Sequence, residues 1–145
     1  MATATFHEMF DRIIRPPTQS RSAKTVEIFG WLILFEGAVI LFAPHAVASV
    51  LHMPALGAQG ANYFRLAGLL VGGLGILYIV SGRLDARGFV FASLLDRPLV
   101  PFIMAILWYL DIIPATLALA FSIQDFASFL WTLLAWRSES LPRGS

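Results

Sequence analysis

Three charged side chains, Glu36, Arg65 and Asp125, lie inside stretches of sequence that are otherwise apolar. Charge in the hydrocarbon core of a membrane is costly, so such residues pair with one another or line a functional site. At 1.5 Å of rise per helical residue, they lie about 10, 5 and 15 Å from the membrane face opposite the chain termini. We therefore predict that they meet in one polar pocket in this outer half of a helical bundle.

Other polar side chains at a similar level extend this candidate site. Besides the three charges, the expected ligand-binding residues are Tyr63, Tyr109, Asp111 and Gln124. Two other interpretations stay open. A Glu36–Arg65 pair could serve only to fix the register of two helices, with Asp125 protonated and bonded to a backbone carbonyl. Alternatively, the two carboxyl groups could transfer protons.

The composition indicates an integral membrane protein. The 145 residues are 58% hydrophobic and 13% charged, with a mean hydropathy of +0.76. A soluble domain has about 45–50% apolar and about 25% charged residues, so much of this apolar surface must face lipid. These values exclude a water-soluble enzyme, a disordered chain and a disulfide-linked secreted domain. The sequence has no cysteine, which excludes cysteine redox chemistry and thiolate metal ligands.

Four apolar stretches can cross about 30 Å of hydrocarbon, which takes roughly 20 helical residues. We expect spans at about residues 25–43, 62–81, 98–110 and 115–136, with Phe89 as an alternative start of the third. A cytoplasmic helix and linker at 1–24 precede this transmembrane domain at 25–136, and a tail follows at 137–145. The tail ends in Leu-Pro-Arg-Gly-Ser, which resembles the remnant of an engineered protease site, so no function is assigned to it.

The distribution of basic residues predicts the orientation of the spans. Of the ten Lys and Arg residues, nine precede span one, lie between spans two and three, or follow span four, and only Arg65 does not. By the positive-inside rule, both termini are expected in the cytoplasm. Aromatic residues near the span ends agree with this orientation, with Trp31, Tyr78, Trp131 and Trp136 expected at inner ends and Tyr63, Trp108 and Tyr109 at outer ends.

The N-terminal segment has the pattern of a short amphipathic helix. Thr5 and Glu8 have the spacing of a capping box, and Pro16-Pro17 would end the helix. Its apolar face would consist of Phe6, Met9, Phe10, Ile13 and Ile14. We expect this helix to lie in the plane of the cytoplasmic leaflet. Packing against a partner subunit is the alternative.

Several other patterns favour structural roles. Gly68, Gly72 and Gly75 share one helix face, which favours close helix packing. Asp96 and Arg97 are expected to form an interfacial ion pair before a proline-interrupted helix. A short surface helix is expected at 45–51. His45 and His52 lack a third ligand nearby, so no metal site is expected. No pattern for nucleotide, calcium or nucleic-acid binding is present.

The first two spans resemble small bacterial four-span membrane proteins of the DoxX-like group. The resemblance covers residues 25–81, with Phe35-Glu36-Gly37 in span one and Tyr63-Phe64-Arg65-Leu66-Ala67-Gly68 opening span two. It implies a bacterial inner-membrane location and a paired polar core at Glu36, Arg65 and Gly68. One member of the group is associated with thiosulfate–quinone oxidoreduction, but the absence of cysteine here argues against sulfur redox chemistry.

These observations favour a membrane subunit or a lipophile-binding four-helix bundle. A quinone or lipid would enter from the bilayer, with its head against the charged side chains, and a larger membrane complex or a homo-oligomer is an expected assembly. No cofactor is assigned, and whether the chain is an enzyme stays open. The first alternative is an intramembrane acid–base enzyme, such as a lipid or sterol-type isomerase. The second is a proton-coupled transporter, although no inverted repeat is visible.

Overall fold

The computed structural model describes residues 5–16 and 18–140, and every regular element in these residues is an α-helix. The helices are α1 (Phe6–Ile14), α2 (Arg21–Phe42), α3 (Pro44–Val50), α4 (Ala58–Arg83), α5 (Arg87–Asp96), α6 (Leu99–Tyr109) and α7 (Ala115–Ser140). Pro17 and the tail at 141–145 lie outside the described residues.

Four helical stretches are long and apolar enough to cross a membrane. They are Arg21–Phe42, Ala58–Arg83, Arg87–Tyr109 and Ala115–Glu139. Their outward-facing side chains are largely apolar, as lipid contact requires. The expectation of an all-α fold with four helical stretches able to span a membrane is confirmed for the described residues.

The third of these stretches consists of two helices. The sequence analysis places its start at Pro98 or Phe89, whereas helix α5 begins at Arg87. Proline removes one backbone donor and so interrupts the hydrogen-bond ladder. The backbone nevertheless keeps helical dihedral angles there, with φ −57° and ψ −39° at Arg97 and φ −66° and ψ −19° at Pro98. The chain therefore crosses as α5 followed by α6.

Helices α2 and α4 are antiparallel and pack in backbone contact along a glycine seam. A Cβ built on Gly30 would lie 2.9 Å from the carbonyl oxygen of Gly75, and one on Gly68 would lie 2.8 Å from that of Gly37. A Cβ on Gly37 would lie 2.3 Å from the backbone nitrogen of Gly72. Only glycine permits this approach. The expected packing role of Gly68, Gly72 and Gly75 is confirmed.

A second face of α2 packs against α7 through hydroxyl and carboxylate groups. The Thr25 and Thr132 hydroxyl oxygens lie 2.9 Å apart, and both residues are buried. One end of the same interface is closed by Glu139, which accepts hydrogen bonds from the Ser22 backbone N–H at 2.7 Å and the Ser22 hydroxyl at 3.0 Å. These contacts place the start of α2 beside the end of α7.

The start of α2, the end of α4, the start of α5 and the end of α7 meet at one end of the bundle, here called the basic end. The buried Glu27 carboxylate accepts from Lys24 Nζ at 2.9 Å, from Arg83 Nε at 3.0 Å and from Gln19 Nε2 at 3.0 Å. Arg87 Nη1 lies 2.6 Å from a Glu139 oxygen. These ion pairs hold the four helix ends together.

The N-terminal helix α1 is attached to the basic end. Its capping box is confirmed, because the Thr5 N–H donates to Glu8 Oε2 at 2.8 Å and the Glu8 N–H donates to Thr5 Oγ1 at 3.4 Å. Arg83 Nη1 donates to the Ile13 carbonyl oxygen at 2.7 Å. The helix ends at Ile14, before the proline pair.

Candidate functional site

A cavity of about 330 Å³ lies between α2, α3 and α7, at the end of the bundle opposite the basic end, here called the α3 end. Its polar lining side chains are Glu36 and Gln124. The rest of the lining is apolar and includes Phe35, Ile40, Val47, Leu51 and Phe121. The cavity is therefore mostly apolar, and its polar side chains lie together at one end.

Helix α3 forms one wall of this cavity because the chain turns sharply after α2. Pro44 occupies the first turn of α3, where the missing N–H costs little. The expected short helix at this place is confirmed, with bounds Pro44–Val50. The Thr116 hydroxyl donates to the Leu51 carbonyl oxygen and ties the start of α7 to the end of α3. This link fixes the cavity's three walls relative to one another.

Glu36 and Gln124 form the polar end of the cavity. Gln124 Nε2 donates to Glu36 Oε2 at 3.0 Å, and both side chains are partly buried. Adjacent residues on an α-helix point about 100° apart. Because Gly37 faces α4, its neighbour Glu36 is turned toward α7. The sequence analysis selected both residues, and the structure brings them together.

Asp125 lies beside this pair, next to Gln124 on α7. Its carboxyl group is partly buried and interacts electrostatically with Glu36 and with Arg97. Its own backbone carbonyl oxygen accepts a hydrogen bond from the Ser128 hydroxyl at 2.9 Å. Of the two intramembrane carboxyl groups predicted to share a site, Glu36 lines the cavity and Asp125 does not.

Arg97 is the buried cation nearest this site, which corrects the expected interfacial Asp96–Arg97 ion pair. Arg97 is 1% exposed, whereas Asp96 is exposed. Arg97 Nη1 donates to Thr132 Oγ1 at 2.9 Å and to the Ser128 carbonyl oxygen at 3.2 Å. The near-helical backbone at 97–98 turns the two side chains in different directions, so Arg97 enters the bundle and Asp96 does not.

Two aromatic rings enclose the Arg97 guanidinium. Its central carbon lies 4.1 Å from the Phe29 ring centroid and 5.2 Å from that of Tyr78. Cation–π attraction of this kind stabilises a buried charge. Tyr78 is 4% exposed, so the expectation that it belongs to an interfacial aromatic belt is wrong.

Arg65 does not join Glu36 and Asp125. Its Nη1 donates to Asn62 Oδ1 of the same helix at 3.1 Å, and within residues 5–16 and 18–140 it forms no ion pair. The physical reason is the rotation of α2, whose glycine face meets α4 and turns Glu36 away from it. The predicted convergence of the three charges is therefore wrong for Arg65.

The remaining predicted site residues lie on the surface. Tyr63 is 64% exposed and accepts a hydrogen bond from Gln59 at 3.1 Å, and Tyr109 is 83% exposed. Asp111 is exposed in the turn between α6 and α7, with a φ of 55°. None of the three lines the cavity. Exposed residues near helix ends are typical of a membrane boundary.

Sequence reasoning missed Arg97 as a buried residue, together with its partner Thr132. The available signal was an arginine directly before Pro98 in an apolar tract too long for one span. Splitting that tract at Pro98 placed the arginine in a loop. The spacing of Ser128 and Thr132, one helical turn apart on α7, could have indicated a polar face that needs a donor.

The histidines are exposed, and among the described residues no group of three or more His, Asp or Glu side chains could hold a metal ion. No family model matches the chain, and neither the curated proteins nor the solved structures contain a match. The resemblance to DoxX-like proteins over residues 25–81 therefore stays a prediction from sequence.

Proposed function

We propose that this protein binds a lipophilic molecule, a lipid or a quinone, within the membrane. The observation that carries the proposal is the apolar cavity between α2, α3 and α7, whose polar groups are the hydrogen-bonded Glu36 and Gln124. Ligand pockets enclose about 300–1,000 Å³ and combine apolar walls with a few polar groups that fix orientation. A cavity of 330 Å³ would accommodate a head group and the first part of its chain.

Entry from the bilayer follows from the exposure of the cavity rim. Phe35 is 67% exposed and Val50 is 75% exposed, and both line the cavity. Apolar side chains at an opening in a membrane-spanning surface face lipid tails. A ligand would therefore move laterally from the bilayer into the cavity.

The orientation that fits this function places the basic end in the cytoplasm. Arg21, Lys24, Arg83 and Arg87 lie at or near the helix ends gathered there, and positive charge is enriched on cytoplasmic sides. Helix α1 at this end exposes Phe6 at 87% and Ile14 at 57%, which suits an in-plane position on the inner leaflet. The cavity would then open to the outer half of a bacterial inner membrane.

Binding of decylubiquinone to the purified protein in detergent tests the proposal. Ala120 lines the cavity and Ala127 lies two turns further along α7, exposed and away from it. We expect Ala120→Phe to weaken binding at least tenfold and Ala127→Phe to leave it unchanged. Equal affinity in the two variants, or purification without any bound lipid or decylubiquinone affinity, would contradict the proposal.

The second candidate is an intramembrane acid–base enzyme, favoured by the presence of two partly buried carboxyl groups, Glu36 and Asp125, in the apolar helices. Isomerisation of a lipid double bond needs one group to remove a proton and another to return it. A β,γ-unsaturated ketone with a ten-carbon chain is a suitable probe, because its conjugated product absorbs in the ultraviolet. If both Glu36→Gln and Asp125→Asn retain full turnover of this probe, these residues are not the catalytic acid and base.

A further inference from the structure

The guanidinium of Arg97 has hydrogen-bonding capacity that the described protein groups do not use. Its Nη1 is bonded to Ser128 and Thr132, but Nε and Nη2 are buried without a hydrogen-bond partner. Buried donors are nearly always paired, because an unmade hydrogen bond cannot be replaced by water. Phe29 and Tyr78 stabilise the charge through their rings, and the Tyr78 side chain also interacts electrostatically with the guanidinium. The three N–H groups on Nε and Nη2 nevertheless lie within hydrogen-bond distance of no acceptor among the described residues.

Arg97 lies one helical turn beyond the polar end of the cavity. Gln124 lines the cavity, and Ser128, which accepts from Arg97, follows it by four residues on α7. Four helical residues correspond to a rise of about 6 Å. Asp125 lies between them and interacts electrostatically with both Arg97 and Glu36. The Gln124–Glu36 hydrogen bond lies at the end of the cavity that is nearest to Arg97 along α7.

The charges around Arg97 restrict the chemistry of an acceptor. Asp125 and Asp96 both interact electrostatically with the guanidinium, and Glu36 lies at the cavity end. Two carboxyl groups near one cation disfavour an additional anion. A neutral acceptor, such as a carbonyl oxygen, accepts from a guanidinium without that repulsion.

We propose that the binding site continues past the Glu36–Gln124 hydrogen bond to Arg97, and that Arg97 donates to the carbonyl head group of a neutral lipophile. The inference rests on the proposed lipophile-binding function and names the class of ligand. The Gln124 side chain turns aside, the chain of the ligand fills the apolar cavity, and its carbonyl oxygen accepts from Nε and Nη2. Fatty-acid anions and hydrocarbons without a head group bind less well.

Three probes with equal chains test this selectivity: decylubiquinone has carbonyl groups, decylbenzene has a ring without them, and decanoate is an anion. We expect native protein to prefer decylubiquinone over decylbenzene by at least tenfold and to bind decanoate weakly. Arg97→Gln removes this preference, because a charge-assisted hydrogen bond is lost. Arg65→Gln is the matched control, since Arg65 bonds only to Asn62 within the described residues, and it keeps the preference.

An unchanged preference in folded Arg97→Gln overturns the inference, as does tighter binding of decanoate than of decylubiquinone. If the inference about Arg97 fails but Ala120→Phe still weakens the binding of both decylubiquinone and decylbenzene, the proposed lipophile-binding function stands. If Ala120→Phe weakens neither, the proposed function fails as well.

A second measurement does not depend on whether Arg97→Gln folds. The infrared carbonyl stretch of decylubiquinone bound to native protein is expected to shift to lower frequency, as for a carbonyl bonded to a cation. We expect the shift to persist in Gln124→Leu, because this substitution removes the other nearby donor and leaves Arg97 in place. An unshifted band in native protein, or loss of the shift in Gln124→Leu, overturns the inference.

Discussion

Gly37 and Gly68 hold α2 and α4 closer together than any other residue type would allow. A Cβ on Gly37 would lie 2.6 Å from the Gly68 carbonyl oxygen, and one on Gly68 would lie 2.8 Å from the Gly37 carbonyl oxygen. This reciprocal contact has a consequence for the cavity. By fixing the rotation of α2, it directs the adjacent Glu36 toward α7.

The close packing of α2 against the glycines of α4 predicts a large difference in stability between two alanine substitutions on α4. Gly68→Ala should destabilise the protein by about 1–3 kcal/mol, because the added methyl group meets backbone atoms that cannot move aside independently. Gly73→Ala should be neutral or slightly stabilising, since nothing lies within 4 Å of a Cβ at that position. Reversible unfolding in mixed detergent measures both. Equal stability of the two variants would refute the packing argument.

The carboxylate of Glu27 should contribute more to stability than an exposed carboxylate in an ion pair. Glu27→Gln leaves Arg83 and Lys24 without their buried partner, and we expect a loss of about 3 kcal/mol, as for other broken buried pairs. Asp11→Asn is the control, because the His7 and Asp11 side chains are 88% and 65% exposed. An exposed pair contributes about 0–1 kcal/mol. A similar loss in both variants, measured by denaturant unfolding, would contradict the prediction.

Thr132 should be the more sensitive member of the Thr25–Thr132 pair, because it also accepts from Arg97. Thr132→Val removes the acceptor of a buried charged donor, and we expect a loss of about 1–3 kcal/mol. Thr25→Val removes neutral contacts alone, with the Thr132 hydroxyl and with the Ser22 carbonyl oxygen of its own helix, and a hydrogen bond between membrane helices averages about 0.6 kcal/mol. Thr132→Ser keeps the hydroxyl and serves as control. A larger effect of Thr25→Val would show that Arg97 does not depend on Thr132.

Helix α1 should lose stability in acid through Glu8. The hydrogen bond from the Thr5 backbone N–H lowers the pKa of Glu8 below its ordinary value of 4.5. A lowered pKa in the folded state means that the capping stabilisation is present above 4.5 and is lost as pH falls through the folded-state pKa. NMR secondary shifts across residues 6–14 measure the fraying. The comparison is with Glu8→Gln, whose α1 should respond less to acid.

Helix starts and helix caps could be predicted from the sequence without tertiary information. Thr5 and Glu8 predicted a capping box three residues apart, and Pro44 predicted a new helix after α2, because both effects depend on neighbours in the chain. The role of Arg97 could not be predicted from its neighbours in the chain. Its burial depends on Phe29, Tyr78 and Thr132, which come from three other helices.

Only part of the candidate site could be predicted from the sequence. Glu36 and Gln124 were predicted to share a site and are hydrogen-bonded to each other, because polar groups in apolar helices must find partners. The choice of Arg65 as their cation was wrong, since depth in the membrane was known but the rotation of α2 about its axis was not.

Sequence alone determined that this chain crosses a membrane as helices, because hydrocarbon leaves no partner for backbone polar groups except those within the helix itself. It also determined which side chains were too polar to face lipid. Only the tertiary structure decided which of them meet. Close contact between the glycines of α2 and α4 sets the rotation of α2, and that rotation turns Glu36 toward Gln124 and away from Arg65.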